Sequence, residues 1–373
     1  MNDFSKNFLN ENWKAIPDAP RFFLSGFGKH PGWNDHLDDI GLITDSLIRA
    51  RDLLYGGIAH QIESAAWEKS GPDKVASGFD HMIHWRRFNE SLTGLMWSSR
   101  DGKGRSLYPM ITLAHCVGQP FGWQAEEVMP ALEEVGAKCR ATTLGISVVA
   151  ILNAAQESLR ARLASTTSMS LAGPTIGVKE WAAFFSREPV ALRRVLHHLL
   201  VNFAPFAPGC LEWCENKKQA HAQSRCLRLP VVPGATPAES LNAWLSFLAT
   251  QLDPAVPLLG LLPRGRNWLD VIVGEPGPAD FVVLRTLPAV TPLVSDIPYQ
   301  LDAELSVNEG SVFASLGLGQ LPGISCFNGS PVEANRQAAA KWLAKFRLSF
   351  FSRFLQTTGS PFFEGKGGGT GAF

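Results

Sequence analysis

The hydrophobic pattern near the N-terminus changes from strand-like to helical between residues 27 and 44, and this change limits the possible folds most. Residues 21–27 form a short, largely apolar run that predicts a strand, and a Gly/Pro-containing loop at 28–36 follows directly. From Thr44 onward, apolar residues recur near a 3.6-residue period, which predicts a helix. They are Leu47, Ile48, Leu54, Ile58 and Ile62. The pair Gly56-Gly57 inside this helix predicts a kink or a close packing contact.

The same reasoning predicts further elements along the chain. Strands are predicted at 109–116, 258–262, 268–273 and 281–287, and helices at 88–97, 126–138, 148–163, 180–203, 237–252 and 330–356. The sequence Thr-Pro-Ala-Glu at 236–239 is a capping box with proline at the first helical position, so the helix from Pro237 is strongly indicated. The Gly/Pro segment 274–278 predicts a hairpin-like turn between the last two strands.

This mixture predicts an α/β protein of the α+β type with an at least partly antiparallel sheet. The polar segment 215–224 lacks apolar periodicity and is the best candidate for a domain boundary. We therefore expect an α/β domain with a helical extension at 1–225 and a second, smaller α/β domain at 226–357 that ends in a long amphipathic helix. A Gly-rich tail, expected to be disordered, follows at 358–373.

Composition excludes several classes of function. Lys and Arg together number 34, as do Asp and Glu, so no global charge attracts nucleic acid or an acidic membrane. No secretory signal opens the sequence, and the longest apolar stretch, 146–155, is too short to cross a bilayer. The six cysteines have irregular spacing, which indicates reduced thiols. We expect a cytoplasmic protein without membrane insertion.

No enzyme motif passes a strict test. The segments around Lys29 and Lys103 lack the Walker A spacing, no Gly-x-Gly-x-x-Gly lies between a strand and a helix, and Gly-x-Ser-x-Gly is absent. The sequence therefore predicts no catalytic residues, no cofactor and no resident metal.

Two loops are candidate binding sites. The first follows a strand directly and contains Lys29, His30, Asn34, Asp35 and His36 between glycines and a proline. Loops at strand ends often carry function because a rigid scaffold positions them. The alternative interpretation is a structural turn whose polar groups only form hydrogen bonds with backbone groups.

The second loop spans 97–109 and contains three cations and two glycines, which suit a phosphate or an acidic partner. Asp101-Gly102 is equally a strong turn signal, so a simple solvated turn is as consistent with the sequence.

Metal binding is the main enzyme-like alternative. If residues 78–85 were helical, Asp80, His81 and His84 would lie within one turn, and His30, Asp35 and His36 could join them in space. A metal-dependent hydrolase would use His30, Asp35, His36, His81 and His84. Cys210, Cys214, His221 and Cys226 form a weaker zinc candidate, because their spacing departs from that of a zinc knuckle.

Read together and in order, the two loops resemble motifs of the TagF/ImpM family associated with type VI secretion. Gly28-Lys29-His30-Pro31 followed by Asp35 is similar to that family's Gly-Lys-x-Pro-x-x-x-Asp, and Asp101 to Arg105 before Pro109 is similar to its Asp-x-x-Gly-Arg-x-x-Pro. This sequence has one additional residue before Pro109, and it has Trp33-Asn34 where the family usually has Arg-Gly. The resemblance covers residues 21–165.

The resemblance implies a longin- or SNARE-like α/β sandwich around an antiparallel sheet. It also implies a regulatory role through protein–protein contact, linked to kinase, phosphatase and forkhead-associated components. We therefore expect a non-catalytic accessory protein, with a structural subunit of a bacterial assembly as a further alternative. The partner-binding residues predicted are Lys29, His30, Trp33, Asn34, Asp35, Arg100, Asp101, Arg105 and Tyr108.

Overall fold

The computed structural model describes residues 21–63, 78–85, 90–165, 224–232, 235–285 and 291–294, together with positions 195, 199, 202, 203 and 206. The predicted closing helix at 330–356, the Gly-rich tail and the polar segment 215–223 lie outside the described residues. Of the predicted helices at 180–203, only four positions are described, and all four are helical.

The described part of the chain contains eight strands and four α-helices of twelve or more residues. The strands are β1 (Arg21–Lys29), β2 (His36–Ile40), β3 (Gly78–Trp85), β4 (Glu90–Trp97), β5 (Met110–Val117), β6 (Arg225–Pro230), β7 (Leu258–Pro263) and β8 (Trp268–Val273). The helices are α1 (Asp45–Glu63), α2 (Met129–Arg140), α3 (Gly145–Ser165) and α4 (Pro237–Gln251). A short helical turn (Phe121–Trp123) and a π-helical turn (Gln124–Val128) lead into α2, and a 3-10 helix spans Pro278–Arg285.

All eight strands belong to one sheet in the order β2-β1-β5-β4-β3-β7-β8-β6, and every pair of neighbouring strands is antiparallel. The predicted α+β class with an antiparallel sheet is therefore confirmed. The domain boundary predicted after residue 225 falls inside this sheet, since β3 pairs with β7 from Phe79–Pro263 to His84–Leu258. The described residues, all of which lie before residue 302, belong to one compact unit.

Helices cover both faces of the sheet. On one face α1 and the 3-10 helix pack against Phe27, Leu92 and Ile111, and on the other α2 and α3 pack against Leu24 and Met110. Residues 110–117 of β5 are all buried as a consequence. A strand buried on both faces has apolar residues on both, so its sequence is a continuous apolar run and not an alternation of apolar and polar residues.

This burial explains why one element was assigned wrongly from sequence. The helix predicted at 88–97 is wrong, because Glu90–Trp97 is the strand β4 in the middle of the sheet. A short apolar run without clear alternation does not distinguish a buried strand from a helix.

A second error concerns the segment after β8. The strand predicted at 281–287 is wrong: residues 278–285 form the 3-10 helix, and the turn at 274–278 leads into it instead of closing a hairpin. Its buried face, Phe281, Val283 and Leu284, packs into the core beside α1. The helix from Pro237 is confirmed with its capping box, in which Thr236 and Glu239 exchange hydrogen bonds.

Of the glycine pair in α1, Gly57 makes a close packing contact, which is one of the two predicted alternatives. A Cβ atom at Gly57 would lie 2.2 Å from Cγ of Phe281, so only glycine lets the 3-10 helix approach α1 this closely. At Gly56, in contrast, an added Cβ would meet no atom of the described residues within 4 Å. Among the described residues, no helix combines the length and the hydropathy that a bilayer crossing requires.

Candidate functional site

The two predicted loops lie side by side at one end of β1 and β5. Residues 30–35 join β1 to β2, and residues 98–109 lead into β5, whose Met110 is opposite Gly28. Two backbone hydrogen bonds tie the loops together: Lys29 N donates to Pro109 O at 3.1 Å, and Gly102 N donates to Trp33 O at 2.6 Å. Gly28 has a φ of 112°, and a Cβ atom there would lie 2.2 Å from the Pro109 carbonyl oxygen. We call the surface formed by residues 30–36 and 98–108 the loop face.

A buried lysine joins the loops electrostatically. Lys29, which is 4% exposed, donates from Nζ to Asp35 Oδ1 at 2.8 Å and to Asp101 Oδ2 at 3.0 Å. Arg105 completes the group: its Nε donates to Asp101 Oδ2 at 2.7 Å, and its Nη2 donates to Asn34 O at 2.8 Å. Two cations and two carboxylates thus link the loops in a neutral cluster.

Asp101 organises the second loop. Its Oδ1 accepts hydrogen bonds from the backbone N–H groups of Lys103 and Arg105, each at 2.9 Å. Burial acts to raise the pKa of Asp101, but the hydrogen bonds from Arg105, Lys29 and Lys103 outweigh it and hold the pKa well below its usual range. For Asp35, the hydrogen bond from Lys29 and those from His36 lower the pKa in the same way. Both side chains are carboxylates at neutral pH.

Both ring nitrogens of His30 form hydrogen bonds within the fold. Gly32 N donates to Nδ1 at 3.0 Å, so the proton is on Nε2, which donates to Cys139 O in α2 at 2.9 Å. The side chain is 1% exposed. His30 therefore anchors the first loop to the helical layer.

Trp33 attaches the same loop to the start of α3. A Cβ atom on Gly145 would lie 3.0 Å from Cζ2 of Trp33, so the indole lies directly against the backbone there. On either side of this contact, Leu144 and Ile146 are 61% and 81% exposed. Large apolar side chains this exposed next to a half-buried tryptophan are typical of interaction surfaces.

The nine predicted binding residues therefore fall into two groups. Lys29, His30 and Asp101 are buried, and Trp33 and Tyr108 are half-buried. The exposed members are Asn34, Asp35, Arg100 and Arg105. The structure brings all nine to the same end of the sheet.

Sequence reasoning missed an aromatic cluster in which Tyr55 joins His36 and Tyr108 of the loop face. The rings of His36, Tyr55 and Tyr108 contact one another edge to face, with centroids 5.9 Å apart for His36–Tyr55, 5.1 Å for His36–Tyr108 and 5.9 Å for Tyr55–Tyr108. Together with Gly56 and Ala59 they line an open cavity of about 460 Å³. Tyr55 belongs to α1 and to neither loop, and its helical spacing gave no sign of this contact.

No protein-family model matches the sequence, and no curated protein is similar to it. Among solved structures, it is similar to the crystal structure of PA0076 from Pseudomonas aeruginosa PAO1, with 16% sequence identity and a TM-score of 0.34. The match covers 75% of this chain and 99% of that one. A likeness this weak carries no argument about function.

The geometric premise of the metal alternative is wrong, since residues 78–85 are the strand β3 and not a helix. No group of three His, Cys, Asp or Glu side chains among the described residues is placed to hold a metal ion. Of the weaker zinc candidate, only Cys226 is described, and burial raises the pKa of its thiol well above the usual value.

Polar and charged side chains also make contacts away from the loop face, of which two involve strands of the sheet. His115 contacts Glu90 at 3.2 Å from its Nε2, and its Nδ1 is 3.0 Å from the hydroxyl of Thr44, the residue before α1. In the last part of the sheet, Arg228 and Asp270 form a fully buried bidentate pair at 2.8 and 3.0 Å. Both contacts connect elements of the fold.

Proposed function

We propose that this chain is a non-catalytic accessory protein that acts by binding another protein through the loop face. The association we propose is with type VI secretion, and the partners are components of the apparatus or of its forkhead-associated and kinase signalling. The link to this system rests on the resemblance of the two loop motifs.

One observation carries the binding role. The two loops are fixed to each other by the buried Lys29–Asp101 contact, and they are fixed to the helical layer by His30 and Trp33. A loop that is already ordered loses little conformational entropy when a partner binds. Buried ionic groups of this kind are costly to maintain, and here they hold exposed polar and charged side chains in a fixed arrangement.

The exposed surface has the composition of an interface. Arg100 and Arg105 supply positive charge, Asp35 supplies negative charge, and Leu144 and Ile146 supply apolar area next to Trp33. An apolar centre with a polar rim is the usual anatomy of a protein–protein contact. No observation in the described residues favours the hydrolase alternative.

The test compares two matched isoleucines. Ile146 is 81% exposed at the loop end of the sheet, and Ile43 is 67% exposed at the other end, next to Thr44. We expect Ile146→Asp, alone or with Arg100→Glu, to lose the proteins that co-purify with the full-length chain from its native cells. Ile43→Asp should retain them. Quantitative mass spectrometry of the co-purified proteins measures both, and equal retention in the two variants would contradict the proposal.

A further inference from the structure

The aromatic cluster of His36, Tyr55 and Tyr108 lies next to an open cavity. The cavity of about 460 Å³ is lined by the three ring residues together with Gly56 and Ala59 of α1. No two of the three ring centroids are more than 5.9 Å apart. A single group that lies over the cluster therefore contacts all three rings at once.

Gly56 has no role in the fold that the structure reveals. Its neighbour Gly57 is required by the ring of Phe281, whereas a Cβ atom at Gly56 would meet none of the described residues within 4 Å. Glycine in the interior of a helix is unfavourable because it loses more backbone entropy than any other residue. The absent side chain does have one consequence, which is that the cavity stays open along α1.

The charges around the cluster favour a cation. Burial raises the pKa of Tyr55, and the carboxylate of Asp39 raises it further, with a larger effect than the opposing one of Arg51. Arg51 pairs with both Asp39 and Asp52, so this group of one cation and two carboxylates has a net negative charge. Aromatic faces also attract positive charge, so ring quadrupoles and carboxylates act in the same direction.

We propose that the cleft between His36, Tyr55 and Tyr108 receives a cationic side chain, lysine or arginine, from a partner protein. A cation over the three rings lies within about 6 Å of each centroid, the range in which cation–π attraction is significant. That the cation belongs to a protein rests on the proposed function. The ability of the cleft to bind a cation is independent of the proposed function.

The test uses methylguanidinium chloride as the probe and N-methylurea as its neutral isostere, at constant ionic strength. The chain has three tyrosines, so ring-labelled tyrosine gives three sets of NMR signals, which Tyr→Phe variants assign. We expect the Tyr55 and Tyr108 signals to shift and saturate with methylguanidinium, and binding of N-methylurea to be about tenfold weaker. Equal responses to the two probes, or no response to either, would overturn the inference.

A matched pair of leucine variants locates the binding. Gly56→Leu fills the cavity from the helix side, and His60→Leu places the same side chain on an exposed position of α1 outside the lining. We expect Gly56→Leu to abolish the response to methylguanidinium and His60→Leu to preserve it, with circular dichroism showing that both variants are folded. Unchanged binding in Gly56→Leu would refute the cleft as the site. If Ile146→Asp loses its partners while methylguanidinium does not bind, this inference fails and the proposed function stands.

Discussion

Adjacent glycines in α1 should respond in opposite directions to the same substitution. Replacing glycine by alanine in a helix interior stabilises it by about 0.5–1 kcal/mol, and this gain is common to Gly56→Ala and Gly57→Ala. At Gly57, however, the new Cβ would lie 2.2, 2.4 and 2.7 Å from three ring atoms of Phe281, which is fully buried. Overpacking of a core usually costs about 1–3 kcal/mol, and three contacts this short place the cost in the upper half of that range.

The two variants should therefore differ by about 2–3 kcal/mol in free energy of unfolding, because the helical gain cancels between them. Gly56→Ala should be more stable than the native chain, and Gly57→Ala less stable. Urea unfolding followed by circular dichroism measures the shift in midpoint directly. Equal midpoints for the two variants would show that the 3-10 helix does not pack on α1 as described. A destabilised Gly56→Ala would show that this position has a role in the fold after all.

Three further predictions concern the ionic contacts. Lys29→Met should cost about 1.5–3 kcal/mol of stability, the range for a hydrogen bond to a charged group, whereas Arg100→Ala should leave the thermal midpoint unchanged. Arg228→Met should cost about 3–5 kcal/mol because it strands the buried Asp270, and adding Asp270→Leu should restore most of the loss in urea unfolding. At Glu90, burial acts to raise the pKa, but the contacts with His115 and Ser46 outweigh it and hold the pKa below 4.5. Ionised Glu90 thus stabilises the fold above about pH 4.5 and loses that effect as the pH falls through the lowered pKa, so the stability gap between the native chain and Glu90→Gln should close on acidification.

Local signals in the sequence predicted the elements with clear ends or clear periodicity. The capping box at Thr236 and Glu239 located α4, and the apolar spacing located α1. Strand β4 was missed because burial on both faces removes the alternation that marks a strand. The 3-10 helix was missed for a related reason. Phe281 packs on Gly57, and a contact between residues so distant in sequence leaves no local pattern.

The candidate site could be predicted only in part for the same physical reason. Each loop was visible because its glycines, prolines and charges are contiguous, and the pairing of β1 with β5 then brings the loops together. Which charged side chains are buried depends on the pairing of β1 with β5, and neither loop sequence alone reveals which they are. Tyr55 reaches the site from α1 and has the spacing of an ordinary helical residue, so only the packed structure reveals it.

Burial also decides which substitutions can report on partner binding. Lys29 and Asp101 are 4% and 2% exposed and hold the two loops together, so little of either side chain is accessible to a partner. Replacing them would alter the positions of every exposed residue on the loop face, and a loss of binding would then have a structural cause. Arg100 has an exposed side chain, and Ile146 lies on the adjacent surface of α3. Substitutions of Arg100 and Ile146 change the surface but leave the contacts between the two loops intact. If such a substitution abolishes binding of a partner, that partner contacts this face.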